Sequence, residues 1–508
     1  MKTPTGGSPA APAGSALTRR LGPWLIVFGV VVTLRLLLPG RPSDTGMVHE
    51  AIVDSLLAGH NWGRQALVGA LEYPLLPTLG LLAARTLVGP TLAVAVLVAV
   101  SQAWSLCYLL RLRQGLLRRA VLAVLLAAAA WVLPDFCAAW TALDPHWIAA
   151  VPFAAAIFHL ARWFGERGLR DAVLTAVNAG LLSFCGLGGL LAGLGLVLVL
   201  VHDVRRPTSG DADHRQGLTV LVWTPLLYCL ALWLLWNWLV LGDLLFCVKH
   251  LASALSSVSV GEFVRLAWRG LRHTPPMLWA SALCLLAVLS SANRRVVRAM
   301  LVLCAILALT RSLCLAGGLL AGVSTLLVVT AAAAALGLVP GPAAVETVGE
   351  RRRGALWRVL ATLAAAVVLV LDGMAPTVAD PVAEADFAHD APAAVEITGW
   401  IDRDWTRSRT AVFGVRLPAL YHDPMEQRFV ARMDYHESLF MELAQDEVMH
   451  LLLPPPDGRF YPRGNTVFAR LYEGQSPILL LERQWDSGWQ LWRCVITPDD
   501  ESRLKGLQ

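Results

Sequence analysis

The chain is poor in charged residues and lacks any cysteine pattern that binds a metal or forms a disulfide framework. Only 16% of its 508 residues are charged and 56% are hydrophobic, whereas soluble domains average roughly 25% charged residues. The nine cysteines form no CxxC pair and no zinc spacing, and most lie inside apolar runs, where we expect small buried hydrophobes. The net charge of +5 comes from arginines clustered between those runs. The composition therefore argues against a soluble globular protein and against a nucleic-acid partner.

The first three quarters of the chain consist of apolar runs, each about as long as the roughly 17–25 residues that a helix needs to cross a bilayer. About eleven such helices are predicted, at 22–38, 90–111, 118–134, 145–164, 171–185, 187–202, 218–241, 276–292, 297–315, 318–337 and 355–371. The first run has no small-residue cleavage site, so we expect a retained helix, with a signal peptide as the alternative. The run 74–88 is short, begins with proline and contains Arg85. It predicts a re-entrant or surface-lying helix.

Loop charge predicts the orientation of these helices. Arginines at 19–20, 111–119, 162–170, 205–206, 294–298 and 351–353 are expected on the cytoplasmic side. The chain then divides into a disordered cytoplasmic N-terminus at 1–20, a transmembrane domain at 21–373 with outer loops 39–89 and 242–275, and an extracytoplasmic domain at 374–508. The prediction is a multi-pass protein of the cell (plasma or inner) membrane.

The C-terminal 374–508 has a different composition, charged and rich in turns. Strand-like runs at 410–416, 448–453, 477–482 and 489–496 alternate with helix-like runs at 391–404 and 438–447, which predicts a small α/β domain. We find no catalytic motif there. Trp485, Trp489 and Trp492 are expected in its core, with stacking on sugar rings as the alternative.

The first outer loop, from Arg41 to Pro77, is unusually rich in groups that can do chemistry. It contains two histidines and four carboxylates, which are Asp44, Glu50, Asp54 and Glu72. Asp44 follows the first span closely, at the outer membrane surface, where a lipid-borne donor and a water-soluble acceptor can both reach it. Because transfer of a sugar to a hydroxyl needs one base, Asp44 is the candidate general base and Glu50 the second choice.

Each of these acids also has a structural interpretation. The sequence around Asp44 is typical of a helix cap, so this residue can equally cap a helix that begins near Met47. Glu50 and Asp54 lie four residues apart on that predicted helix and are otherwise expected on its solvated face. Asp144 precedes a proline and can simply begin the next helix.

The second outer loop, at 242–275, is basic. It contains Lys249, His250, Arg265, Arg269, Arg272 and His273. Arg265, Arg269 and Arg272 share one face of a predicted amphipathic helix, which would lie in the interface and present cations to phosphates. Two interpretations stay open: general attraction to anionic lipids, and a site for the phosphate of a lipid-linked donor, which the forked donors of arginine suit.

The order of these features resembles the GT-C superfamily of membrane glycosyltransferases, in particular its protein-mannosyltransferase-like and aminoarabinose-transferase-like enzymes. The resemblance rests on Asp44, Leu57–Gly63, Tyr73–Pro77, LDPHW (Leu143–Trp147), LSFCGLGGLLAGLGLVL and NWLVLGDLLFCVKHL (Asn237–Leu251). It implies a polyprenyl-phosphate-linked sugar as donor, an outer-face acceptor (glycan, lipid or protein), and inversion at the anomeric carbon. It implies Asp44 as base, the basic loop as phosphate site, and Asp144 and Tyr73 as substrate-binding residues. No cofactor is evident; some members need a divalent cation, which this sequence does not specify.

Departures from the family pattern leave two other functions to consider. The acid that usually follows the first aspartate is Thr45 here, Leu75 replaces the second proline of Tyr-Pro-Pro, and Leu244 replaces the proline after Gly-Asp. A non-catalytic GT-C-like scaffold would tolerate these changes. A transporter or flippase for lipid-linked glycans would carry charges near mid-bilayer and matched helical halves, but the ionisable residues collect at the outer ends of spans. We therefore expect a transferase.

Overall fold

The computed structural model describes five stretches of the first half of the chain and four of the C-terminal region. These are 41–42, 44–57, 74–111, 142–205 and 212–245, then 409–413, 429–432, 448–453 and 479–494. It also describes isolated residues within 25–36, at 64 and 67, and within 248–265, 302–330 and 396–400. The accounts of fold and site below concern these residues.

The described part of the N-terminal half is helical apart from two short strands, β1 (Arg41–Pro42) and β2 (Ala142–Leu143). Its helices are α1 (Asp44–Leu57), α2 (Leu75–Val88), α3 (Pro90–Arg111), α4 (Trp147–Glu166), α5 (Leu169–Leu181), α6 (Gly186–Val204) and α7 (Ala212–Leu241). Four described stretches are long and apolar enough to cross a membrane: α3, α4, the run from α5 to α6, and α7. The protein is thus a multi-pass helical membrane protein, as predicted.

The individual spans agree with the sequence where the structure describes them. The predicted spans at 90–111, 145–164 and 218–241 coincide with α3, α4 and α7, although α7 begins earlier, at Ala212. The predicted spans at 171–185 and 187–202 fall on α5 and α6, which together form one apolar stretch of 36 residues. The predicted spans at 118–134, 276–292 and 355–371 lie outside the described residues, and those at 22–38, 297–315 and 318–337 are represented by scattered residues. The total of about eleven spans stays a prediction.

Helix α2 is the short apolar helix that the sequence predicted not to span. Its 14 residues extend about 21 Å, less than the roughly 30 Å of a hydrocarbon core. Pro74 precedes it in an extended conformation, and Gly89, at φ +83°, ends it with its N–H bonded to the Arg85 carbonyl at 3.0 Å. Pro90 then begins α3, so a Gly-Pro pair turns the chain between the two helices.

Helices α5 and α6 form a tight hairpin joined by a 3₁₀ turn at Leu182–Cys185. A Cβ on Gly193 would lie 2.4 Å from the Ala179 carbonyl oxygen, and one on Gly189 would lie 2.3 Å from that of Leu182. Since real Cβ atoms do not approach backbone oxygens so closely, only glycine allows the two helices to pack at this separation. This is the glycine-rich segment quoted in the sequence resemblance.

Helix α4 binds α5 and α6 through buried acids at one end of the helical core. His159 Nδ1 lies 2.8 Å from the Asp171 carboxylate, which is 4% exposed. Trp163 donates its indole N–H to Asp203 at 3.0 Å, and Arg167 pairs with the same carboxylate, which is 3% exposed. The sequence predicted this end as the cytoplasmic side from its arginines, and that orientation stays a prediction. The opposite end of α4 lies about 30 Å away along its 20 residues.

The described C-terminal residues form one five-stranded mixed sheet. Its strands are β3 (Arg409–Phe413), β4 (Phe429–Arg432), β5 (Val448–Leu453), β6 (Leu479–Gln484) and β7 (Gln490–Cys494), in the spatial order β4-β3-β5-β7-β6. Strand β3 is parallel to β4 and β5, whereas β7 is antiparallel to β5 and β6. All four predicted strand-like runs overlap these strands. The α/β domain and its extracytoplasmic position stay predictions.

The three tryptophans of this region lie in its core. Trp485, Trp489 and Trp492 are 3%, 1% and 5% exposed. Burial to this degree leaves little ring face for a sugar, so the prediction that they are core residues is confirmed.

Candidate active site

A short strand pairing brings the first outer loop against the loop that precedes α4. Strand β1 (Arg41–Pro42) is parallel to β2 (Ala142–Leu143), with Arg41 opposite Ala142 and Pro42 opposite Leu143. Beyond these strands, α1 begins at Asp44, and Asp144 directly follows β2. Parallel strands run in the same direction, so the residues that follow them lie at the same end of the pairing. Asp44 and Asp144 therefore both follow the β1–β2 pairing at one end.

Helix α1 carries three of the four first-loop acids, Asp44, Glu50 and Asp54. It begins at Asp44 itself, earlier than the predicted start near Met47. An acid in the first turn interacts favourably with the helix dipole, so the structural and catalytic interpretations of Asp44 both stay open. Glu50 is half-buried. The side chain of Asp54 is 42% exposed, and its carboxylate pairs with Arg85 of α2.

Asp144 is held by its own neighbour, His146. The Asp144 Oδ1 atom accepts the backbone N–H and the ring Nδ1–H of His146, each at 2.9 Å. The same turn starts α4, since Trp147 donates its N–H to the Asp144 carbonyl at 3.1 Å. Burial raises the pKa of Asp144, but the attraction and hydrogen bonds of His146 outweigh it, so the pKa lies below its ordinary value. Asp144 therefore lies in the turn that precedes the helix and also presents a stable carboxylate.

His49 is buried behind this carboxylate in a defined tautomer. Thr78 of α2 donates its hydroxyl hydrogen to the Pro74 carbonyl at 3.1 Å, and its oxygen lies 2.8 Å from His49 Nδ1. Since a hydroxyl has one hydrogen, the Thr78 oxygen accepts here and His49 carries its proton on Nδ1. Burial, followed by the neighbouring His146, lowers the pKa of His49 to about 3, so its imidazole is neutral at physiological pH.

The two histidines meet edge to face. Their ring centroids lie 5.1 Å apart at an interplanar angle of 70°, and each residue is 1% exposed. Close by, Gly80 of α2 receives the Ile148 side chain from the first turn of α4; a Cβ at this position would lie 2.5 Å from its Cδ1 atom. Helices α1, α2 and α4 are thus fixed to one another around the histidines. The geometry forms a preorganised carboxylate site with buried polar support.

The structure brings together only part of the predicted site. Asp44, Glu50 and Asp144 belong to the elements that meet at the β1–β2 pairing. Arg265 is exposed in a helical segment of the basic loop. The other predicted substrate-binding residues lie outside the described residues; they are Tyr73, Lys249, His250, Arg269 and Arg272.

Sequence reasoning missed three buried polar residues at this site. They are His49, Thr78 and His146, none of which had been assigned a role. The Asp-Pro-His order at 144–146 carried a usable signal, because an aspartate often accepts the N–H two residues on. Nothing in the sequence pairs His49 with Thr78, since that contact depends on how α1 packs on α2. Among the described residues, no group of three His, Cys, Asp or Glu side chains is arranged to hold a metal ion.

Comparisons with known proteins give matches among solved structures alone. No protein-family model and no curated protein matches the chain. ArnT from Cupriavidus metallidurans bound to undecaprenyl phosphate is 15% identical at a TM-score of 0.45, covering 95% of this chain and 98% of that one. The same protein in the apo state is 14% identical at 0.42, covering 94% and 98%. ArnT is an aminoarabinose transferase of the GT-C superfamily, which is the family named by the sequence resemblance. At these scores the similarity supports no conclusion about the chemistry of this site.

Proposed function

We propose that the protein is an integral membrane glycosyltransferase that moves a sugar from a polyprenyl-phosphate-linked donor to an acceptor on the outer face of the membrane. The observation that carries the proposal is the β1–β2 pairing, because it sets the loop of Asp44 beside that of Asp144 at one end of the helical core. Two acids on neighbouring loops at a membrane surface suit a reaction between a lipid-borne and a water-soluble substrate.

The proposed reaction is a single displacement. The acceptor hydroxyl attacks the anomeric carbon as the bond from that carbon to the phosphate oxygen breaks, and the polyprenyl phosphate leaves with the bonding electrons. The carbon inverts, and the hydroxyl proton passes to a carboxylate, which we assign to Asp44 with Glu50 as second choice. The bond balance requires no cofactor, and a divalent cation would serve only to screen the phosphate; chelation by EDTA tests that role.

Asp144 has a different role in this proposal. A carboxylate whose pKa is held below its ordinary value is a weak proton acceptor. It is, however, a good acceptor of hydrogen bonds from sugar hydroxyls, because it stays ionised. We therefore assign Asp144 to substrate binding. The leaving phosphate is assigned to the basic loop, which includes the exposed Arg265, with Lys249, His250, Arg269, Arg272 and Tyr73 as its proposed companions.

The experiment compares sugar transfer by purified protein carrying Asp44→Asn or Glu50→Gln with that of wild type. Asp54→Asn is the matched control, because Asp54 lies on the same helix but pairs with Arg85. Radiolabelled sugars on polyprenyl phosphate are the donors, and binding of undecaprenyl phosphate is measured alongside. We expect Asp44→Asn to lower turnover at least 100-fold, within the range of general-base catalysis, with binding retained and the control active.

Three outcomes would contradict the proposal in different ways. Equal turnover in all variants would remove the base assignment. Wild-type protein that binds undecaprenyl phosphate yet transfers no sugar from any donor would favour the non-catalytic scaffold, whereas movement of intact lipid-linked glycan across vesicles would favour the flippase.

A further inference from the structure

Four polar residues, three of them buried, form a connected group at the site, and the proposed transfer reaction uses one of them. Asp144 is the member assigned to substrate; Thr78, His49 and His146 are at most 1% exposed. Full burial prevents these three from touching a substrate. Burying polar side chains costs free energy unless they form hydrogen bonds. We therefore ask what these buried residues do beside the proposed site.

The direction of each hydrogen bond in the group is determined. Thr78 donates to Pro74, so it must accept from His49 Nδ1. At the other end, an ionised carboxylate only accepts, so His146 Nδ1 donates to Asp144. His146 keeps this Nδ1–H whether its ring is neutral with that tautomer or protonated. The ring of His49 then packs against the ring of His146 at 5.1 Å, which limits how His146 can turn.

The arrangement orients the Asp144 carboxylate. Both donors of His146 bind the same oxygen, Oδ1, at 2.9 Å, and two bonds to one oxygen define the plane of the carboxylate. Because the carboxylate is planar, fixing Oδ1 and this plane also fixes the direction of the second oxygen, Oδ2. The Asp144 side chain is 15% exposed, whereas that of His146 is 2% exposed, so the carboxylate reaches the surface of the site and its support does not.

We propose that His146 and His49 are positioning residues, which hold Asp144 by Oδ1 so that Oδ2 is presented to a hydroxyl of the substrate. His49 also lies on α1, the helix that carries Asp44 and Glu50. The pair therefore sets the orientation of Asp144 relative to the helix of the proposed base. What Asp144 binds rests on the proposed function; how Asp144 is held rests on the contacts alone.

The test compares two replacements of His146. His146→Asn keeps an N–H close to the position of Nδ1, and His146→Phe keeps the ring volume but removes the donor. We expect His146→Phe to lower kcat 10- to 100-fold, as for losses of supporting groups around a functional site, while undecaprenyl phosphate binding is unchanged. His146→Asn should stay within about three-fold of wild type, well inside the loss expected for the Phe variant. Thermal midpoints are recorded for every variant.

The chain offers a matched control at the other end of the same helix. His159 also binds an aspartate through Nδ1, at 2.8 Å from Asp171, but about 20 Å further along α4. His159→Phe should lower the thermal midpoint by a similar amount without changing kcat. A purely structural role for His146 would make the two Phe variants alike in both measurements, and would overturn the proposal.

A second measurement does not depend on catalysis. Carbodiimides modify protonated carboxyls, so the pH midpoint of Asp144 labelling, measured by mass spectrometry, reports how the carboxylate is held. His146→Phe should move that midpoint to higher pH, and His146→Asn should move it less, because asparagine keeps a hydrogen-bond donor but loses the attraction of the imidazole. If wild type transfers no sugar but the midpoint moves, the transferase proposal fails and the positioning inference stands. If wild type transfers sugar and His146→Phe changes neither kcat nor the midpoint, the positioning inference alone is wrong.

Discussion

Replacing Gly193 by alanine should destabilise the protein, because α5 and α6 pack too closely for a side chain. The added Cβ would lie 2.4 Å from the Ala179 carbonyl oxygen and 3.3 Å from its carbon. These are backbone atoms, so they cannot rotate away, and the two helices must separate by about 1 Å to restore a normal contact. Overpacking of this kind typically costs 1–3 kcal/mol.

The helical preference of alanine offsets part of this cost. Alanine is favoured over glycine inside a helix by about 1 kcal/mol. We therefore expect a net loss of up to about 2 kcal/mol in the free energy of unfolding of Gly193→Ala. Gly217 on α7 is the matched control, since a Cβ there would meet no atom within 4 Å. Gly217→Ala removes the same glycine flexibility without a clash and should be neutral or stabilising by up to about 1 kcal/mol.

The assay is equilibrium unfolding of purified protein in mixed micelles with increasing SDS, followed by the tryptophan fluorescence. The two alanine variants should shift in opposite directions from wild type, or Gly193→Ala alone should shift to lower SDS. If Gly193→Ala proved as stable as Gly217→Ala, the two helices would not be in the close contact described, and the argument from Cβ distances would be refuted.

Three further outcomes follow from the described contacts. Asp203→Leu should cost about 2–3 kcal/mol, since the Trp163 indole N–H loses its buried acceptor; Asp203→Asn, measured by the same SDS titration, should cost less because an oxygen remains. Asp54→Ala should change stability by less than about 1 kcal/mol, because its pair with Arg85 is partly exposed; a larger loss would mean that α1 depends on it. His49 has a folded pKa of about 3, below its ordinary 6.5, so its contribution to stability is complete above pH 6.5 and is lost as the pH falls toward 3. His49→Asn should flatten the acid limb of thermal midpoint against pH; an unchanged slope would contradict a buried neutral imidazole.

The membrane helices could be predicted from the sequence because their cause is local. An apolar run long enough to cross a bilayer is recognised from its own residues, without knowledge of what packs against it. Helices α3, α4 and α7 and the run from α5 to α6 lie where such apolar runs predicted them. The short α2 was also predicted, from its length, its initial proline and Arg85. The sequence did not predict strand β4 (Phe429–Arg432). Its four residues carry only a weak alternating pattern, so the strand is recognised only from its pairing with β3.

The candidate site could be predicted only in part, because it is built from contacts distant in sequence. Asp44, Glu50 and Asp144 were found from residue type and position near span ends. The pairing of β1 with β2 joins residues about one hundred positions apart, and no periodicity reports such a contact. The same limit hid His49, which looks like any polar residue of an amphipathic helix until α1 is packed against Thr78.

For Asp144, a structural role and a role in the site are compatible. Its carbonyl accepts the Trp147 N–H in the turn that precedes α4, and its carboxylate accepts two hydrogen bonds from His146. A turn that starts a rigid helix fixes the backbone of the acid, and two bonds to one oxygen fix its side chain, so little orientational freedom remains to be lost when a substrate binds. The same bonds lower the pKa of Asp144, which makes it a poor base but a durable hydrogen-bond acceptor. In the proposed reaction Asp144 orients the substrate, so the proton of the acceptor hydroxyl goes to another acid, and the proposal assigns that role to Asp44 or Glu50 of α1.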